Sequence, residues 1–298
     1  MDLFKEFFNQ NLPHLLSGIS IGGQYALIAI GYTMVYGILR LINFAHADIF
    51  MVAGFIMVYA STSFPMYISI PLVIILTVLL GFSVERCAYK PLRTAPRMSV
   101  MISAIGVSYL LQNLAIYITS GLPKIYPAIP WISDRITVFG CSTNRVTIIT
   151  PFLTVALVAI LAAFIKYTKI GIAMRAVSRD FETSQLMGIK INTVISFTFI
   201  IGSFLAAIGS MLFFTSYTTV TPTIGAMPGL KAFVAAVFGG IGSIPGAVVG
   251  AFIIGICETF IKAAGYTTFS DAFTFALLIV ILVVKPTGLF GEKVTEKV

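Results

Sequence analysis

Apolar residues fall in long blocks along the whole chain, and polar positions are confined to the gaps between them. The blocks cover 13–38, 42–62, 69–85, 99–119, 148–165, 192–214, 246–263 and 269–285, with a shorter one at 232–242. A helix rises about 1.5 Å per residue, so the long blocks match the ~30 Å of bilayer hydrocarbon and the short one does not. The short block predicts a half-helix or one arm of a broken helix. None of the blocks shows the alternation of barrel strands. The expected fold class is all-α: one transmembrane domain over 1–298, a polytopic bundle of eight or nine spans with broken helices.

Composition narrows the function. The 298 residues are 58% hydrophobic and only 10% charged, whereas a soluble domain is nearer a quarter charged. No segment has the composition of a nucleotide-binding domain, and no GxxxxGK[ST] occurs. Cys87, Cys141 and Cys257 match no metal or redox spacing. The first block is long and reads as a retained span, not a cleaved leader.

The net charge of +8 reports topology and not nucleic-acid binding. Basic residues gather at 86–97 (Arg86, Lys90, Arg93, Arg97), at 166–190 (Lys166, Lys169, Arg175, Arg179, Lys190) and at the C-terminus (Lys285, Lys293, Lys297). Segments 60–70 and 217–230 carry no charge. The positive-inside rule puts the basic groups in the cytoplasm of a multi-pass protein of the cell membrane. Parity then predicts an extracytoplasmic N-terminus and nine crossings; eight with a re-entrant element fit the same charges. Residues 1–12 put Leu3, Phe4, Phe7 and Phe8 on one helical side, as in an interfacial helix or a frayed start to the first span. In the outer loop, "RITVFG" and "RVTIIT" flank "CSTN" as candidate hairpin strands.

The cytoplasmic segment 169–191 is too polar to insert. Ala176, Phe181, Leu186, Met187 and Ile189 give it an apolar side, and Arg175, Arg179 and Asp180 a charged one. Such a helix docks either on the lipid surface or in a groove of a soluble partner. Its "ETSQLMG", Glu182 to Gly188, resembles the EAA motif of ABC importer permeases. Thr183 and Ser184 occupy the small positions, and Gly188 lets the chain turn back toward the membrane. The Ile-x-Leu-Pro that usually follows is missing. The resemblance implies a coupling helix that receives motion from an ATPase.

A second resemblance is more specific. "GGQYALIAIGYTMVYGILRLINFAHADIFMVAGF" (22–55) is similar to a signature of branched-chain amino acid permeases, the H-type subunit of Liv-type ABC importers, with Ala47 where Gly is usual. "LKAFVAAVFGGIGSIPGAVVGAFIIGICE" (230–258) and "KPTGLFG" (285–291) fit the same family. The lack of an added N-terminal span favours the H-type over its M-type sibling, and urea and short-amide permeases share the pattern. The resemblance implies half of a translocation path for leucine, isoleucine, valine or related apolar amino acids. It implies a lipid-embedded, non-catalytic subunit with a homologous M-type partner, two cytoplasmic ATPases that bind the ATP, and an extracytoplasmic binding protein. No cofactor is expected in this chain.

Candidate gate or pore residues come from both signatures: Gln24, Asn43, His46 and Asp48, then Gly239, Gly240, Gly242 and Pro245. "GGIGSIPG" breaks a helix either at membrane depth, a substrate-site device in transporters, or in a short cytoplasmic turn. Asn43, His46 and Asp48 are expected in the first two turns of the second span, near water or the pore. Glu258 and Lys262, four apart, read as mutually neutralised and snorkelling. Asp271 is expected at the interface, and Gln112 and Asn113 as helix-to-helix contacts. Only Asp48 and Glu258 are candidate relays for the alternative, an ion-coupled secondary transporter. No charge ring marks a channel, and no nucleophile–base set marks an enzyme.

Overall fold

The computed structural model describes residues 2–291 other than 94, 139 and 140; the side chains of 2–10, 138 and 141 lie outside the described set. Helix α1 (Asp2–Leu39) is followed by α2 (His46–Ser63) and α3 (Met66–Val84), which a wider π turn carries on to Tyr89. Next come α4 (Arg97–Thr119), a one-turn α5 (Pro130–Ser133) and α6 (Arg145–Tyr167). Two short helices, α7 (Lys169–Arg179) and α8 (Phe181–Leu186), lead into α9 (Ile191–Tyr217). The chain ends with α10 (Ala226–Gly239), α11 (Ile244–Ala263) and α12 (Ser270–Val284). Among the described residues, seven helices are long and apolar enough to cross a membrane; α2 and α10 are shorter or more polar. The chain is therefore a multi-pass membrane protein.

Helix α1 is the hub, packed chiefly on α11 and α9. Small residues let it close on α11: a Cβ on Gly22 would stand 2.7 Å from the Cα of Phe252, and Gly255 abuts the Gly22 backbone in return. Outward, Ile75, Leu79, Ile102, Phe152, Ile160, Ile279 and Val283 are exposed on α3, α4, α6 and α12. That is a lipid-facing surface.

One end of the bundle collects the basic residues of segments 86–97 and 166–190. The ends of α1 and α3 and the starts of α4, α8 and α9 surround one cleft there. Gly37 lies against Gly242, and the Phe290 N–H donates to the Gly239 carbonyl at 2.9 Å. The "GGIGSIPG" break is thus a turn at this basic face, not a break at membrane depth. Gly240 and Gly242 take left-handed backbone there, and Ser243 caps α11.

Three other expectations change. The backbone is helical without interruption from Asp2 to Leu39, so there is no separate interfacial helix; the apolar side chains on which that reading rested, like Lys293 and Lys297, lie outside the described residues. The outer hairpin pairs β2 (Arg135–Val138) with β3 (Cys141–Asn144), and "RVTIIT" instead begins α6. "CSTN" is therefore a strand, not the loop. A second outer ladder joins β1 (Lys124–Ile125) to β4 (Thr219–Val220).

Candidate functional site

The second span starts later and deeper than its apolar run implies. Residues 40–45 are not helical; Arg40 takes φ 52°, and α2 begins only at His46. The His46 imidazole lies directly over Gly31, where no side chain would fit. Gly31 is eight residues before Leu39, so His46 sits about 12 Å in from the basic face. A second irregular stretch descends from the other side. By Gly225 the chain that left α9 at Tyr217 lies against Ala47 and Met51. The starts of α2 and α10 therefore meet inside the membrane. Irregular backbone at that depth persists only where protein or a water-filled path surrounds it.

The polar groups of this junction are buried within the chain. Asn43, His46 and Asp48 are all enclosed. The Tyr89 hydroxyl donates to Asn43 Oδ1 at 2.8 Å, and Gln112 Nε2 donates to Asp48 Oδ1 at 3.0 Å. Gln112 therefore ties α4 to α2, while Asn113 bonds the Tyr109 carbonyl of its own helix. His46 packs edge-on against Tyr32 at 5.1 Å. Its Nε2, and Asn43 Nδ2, have no hydrogen-bond partner among the described residues. Gln24 lies elsewhere, about two turns from Gly31 toward the N-terminus of α1, and donates to Ser216 of α9 at 3.2 Å. Gly239, Gly240, Gly242 and Pro245 stay at the basic-face turn. The expected gate residues thus form three separate places.

The segment 169–191 is two helices, not one. Thr168 caps α7, accepting from the Gly171 N–H at 3.0 Å. Asp180 breaks the run and caps α8, accepting from the Thr183 N–H at 2.9 Å and its hydroxyl at 2.6 Å. After α8 the chain turns in a Schellman motif: Gly188 N–H bonds Gln185 O, Ile189 N–H bonds Ser184 O, and Gly188 has φ 83°. The side of α7 that packs inward is Gly171, Met174 and Val177, not the apolar set expected. Leu186 and Met187 instead stand 87% and 79% exposed at the tip. Arg175, Arg179, Glu182 and Thr183 are exposed with them, and Ser184 is buried.

A charged cluster sits in the half of the bundle away from the basic face. Glu258 is 1% exposed, so it does not snorkel. Its Oε1 accepts from Lys231 Nζ at 2.7 Å and Lys262 Nζ at 2.5 Å, and its Oε2 from the Tyr25 hydroxyl at 3.0 Å. Lys231 also pairs with Asp271 at 2.6 Å. Two cations face two anions, and the group joins α1, α10, α11 and α12. A charge so deeply placed persists only when paired. At the basic face, buried Glu85 pairs with Arg93 and accepts from Ser196 at 2.8 Å; Arg93 also reaches Asn192. Burial lowers the Arg93 guanidinium from its usual value, and Glu85 opposes that shift.

Residues 14–282 match the family described as branched-chain amino acid transport system / permease component. The chain belongs to that family. The permease is 39% identical over 99% of its length to the whole of the high-affinity branched-chain amino acid transport system permease protein LivH of Salmonella typhimurium. It is 42% identical to BraD of Pseudomonas aeruginosa, covering 96% of this chain and 98% of that one. Among solved structures, PsaBC from Streptococcus pneumoniae has a TM-score of 0.50 at 13% identity, covering 96% of this chain and 98% of that one. An ABC transporter in an inward-facing conformation has a TM-score of 0.52 at 15% identity, with 90% and 85% covered. At that identity these two speak for the fold alone.

Sequence reasoning missed Lys231, Tyr25 and Glu85 in the permease. A lysine and a glutamate at the very edges of apolar blocks are a legible signal, since an unpaired ion there is costly. Their partners are not legible, because Lys231 and Glu258 lie 27 positions apart on different helices.

Proposed function

We propose that this chain is the H-type permease subunit of an ABC importer and lines half of the path for leucine, isoleucine, valine or a related apolar amino acid. The near-full-length likeness to LivH and BraD carries this reading. The other half belongs to a homologous M-type subunit, and two cytoplasmic ATPases bind the ATP. An extracytoplasmic binding protein delivers the substrate. The basic face is cytoplasmic by the positive-inside rule, which puts the C-terminus inside and the N-terminus outside.

In this arrangement the exposed tip of α8, with Leu186 and Met187 flanked by Arg175, Arg179 and Glu182, enters a groove of an ATPase. Gly188 and the Asp180 cap fix the angle of that tip. Closure of the ATPases pushes α7 and α8 against α1 and α9. The Tyr89–Asn43 bond and the Glu85–Arg93 pair carry the displacement to the junction where α2 and α10 begin. The chain does no chemistry in this scheme. An ion-coupled mechanism fits less well, because Glu258 is held by two lysines and Asp48 by Gln112.

The test is assembly and stimulation. The chain, co-expressed with an M-type subunit and two ATPases encoded beside it, should purify as one complex. Leucine-loaded binding protein should raise its ATPase rate several-fold. A chain that purifies without them, or a complex indifferent to the loaded binding protein, would overturn the proposal.

A further inference from the structure

The cleft at the basic face is walled by Leu39, Leu41, Val100 and Ile195, with Tyr89 also lining it. Its cavity volume is about 180 Å³, and it opens to solvent. Arg93 and Arg97 also line it, and no carboxylate does. Arg93 turns part of its guanidinium to Glu85 and Asn192, but its Nε is buried without a partner among the described residues. Arg97 is exposed and makes no hydrogen bond or ion pair among the described residues. Apolar walls beside the exposed, unpartnered Arg97 guanidinium suit a ligand with an anionic head and an apolar tail, since a bond from a cation to an anion is stronger than one between neutral groups.

We infer that this cleft is a regulatory site for an anionic amphiphile, a phosphate or carboxylate on an apolar tail. Arg97 binds the head, and Leu39, Leu41, Val100 and Ile195 hold the tail. The shared chemistry has two sources. One is an anionic phospholipid of the adjacent leaflet, since basic pockets between spans on the cytoplasmic side hold such headgroups. The other is a soluble alkyl carboxylate from the cytoplasm.

The site is placed to act on transport. Tyr89 hydrogen-bonds Asn43 of the membrane junction and packs on Phe199 at 5.0 Å. Phe181, the first residue of α8, forms part of the rim. An occupant therefore touches both the start of the tip that faces outward from the bundle and the segment entering the membrane. The inference rests on the proposed function only for the side of the membrane and for the transport readout.

The experiment uses the complete importer complex in nanodiscs of neutral phosphatidylcholine. The permease carries Cys87→Ser, which removes the exposed native thiol, and Ala95→Cys inside the cleft. Labelling at residue 95 is followed by mass spectrometry while phosphatidylglycerol or octanoate is added. We expect at least fivefold slower labelling and a changed ATPase rate with one or both ligands. Arg97→Gln should raise the concentration needed about tenfold. Protection by phosphatidylglycerol alone assigns the lipid, and protection by octanoate alone assigns the soluble anion. Indifference to both, protection unchanged in Arg97→Gln, or a residue 95 that never labels in the complex would overturn the site. Leucine uptake by the same complex without added ligand separates this failure from failure of the proposed function: uptake intact with labelling indifferent sinks the regulatory site alone.

Discussion

Replacing Glu258 by Gln keeps the shape of the side chain and removes its charge. In the wild type, Glu258 neutralises Lys231 and Lys262 and accepts from Tyr25. Stranding one member of a buried ion pair costs 3–5 kcal/mol in typical cases. Here Lys231 keeps Asp271, and Lys262 is 34% exposed and can reach water. The expected cost is therefore at the low end, about 3 kcal/mol. A second variant separates charge from packing. Lys231→Met with Glu258→Gln removes both buried charges and should recover most of the loss, since an ion pair replaced as a unit is often neutral. The assay is thermal unfolding of the purified complex, read as the fraction remaining monodisperse, with Lys231→Met alone completing the cycle. Additive losses in the double variant, or an undisturbed melting temperature in Glu258→Gln, would refute the view that α10 is held by this cluster.

Other expectations follow from the same geometry. Gly31→Ala drives a methyl into the His46 ring and should cost about 1–3 kcal/mol; adding His46→Ala should restore thermal stability, and no restoration would contradict the packing of α2 on α1. Gly188→Leu, which strains a left-handed residue, and Glu182→Lys should leave the permease inserted and assembled while uptake falls at least tenfold; undiminished stimulation of the ATPases in either would remove α8 from the coupling role. Tyr89→Phe deletes the hydroxyl held by Asn43 and should cost about 1 kcal/mol of stability with a larger fractional loss of uptake. Uptake falling only in proportion to the folded protein would contradict a link between the cleft and the junction.

The helical class was legible because each membrane span must bury a long apolar run; the number of spans was not, because α2 and α10 are shorter or more polar than the other apolar runs. The end of the tip at Gly188 was legible because a terminal glycine marks a helix end by local chemistry alone; the break at Asp180 was not, because that residue also fits the charged side of one continuous helix. The junction was not. The apolar pattern runs through residues 42–45 unchanged, so nothing local delays α2 to His46; packing over Gly31 and against Gly225 decides it. The turn at Gly240–Ser243 shows the converse, a break evident in the sequence whose depth depends on Gly37 and residues 289–290 from elsewhere in the chain. Glu258 was visible as a charge, but its neutralisation by Lys231 depends on α10 lying beside α11.

Energised uptake is the most direct test of the central reading. Vesicles containing this chain, an M-type subunit, two ATPases and the binding protein should accumulate labelled leucine only with hydrolysable ATP, and collapse of the proton gradient should leave the initial rate unchanged. Leucine accumulation that persists without ATP hydrolysis and disappears with the proton gradient would contradict the account.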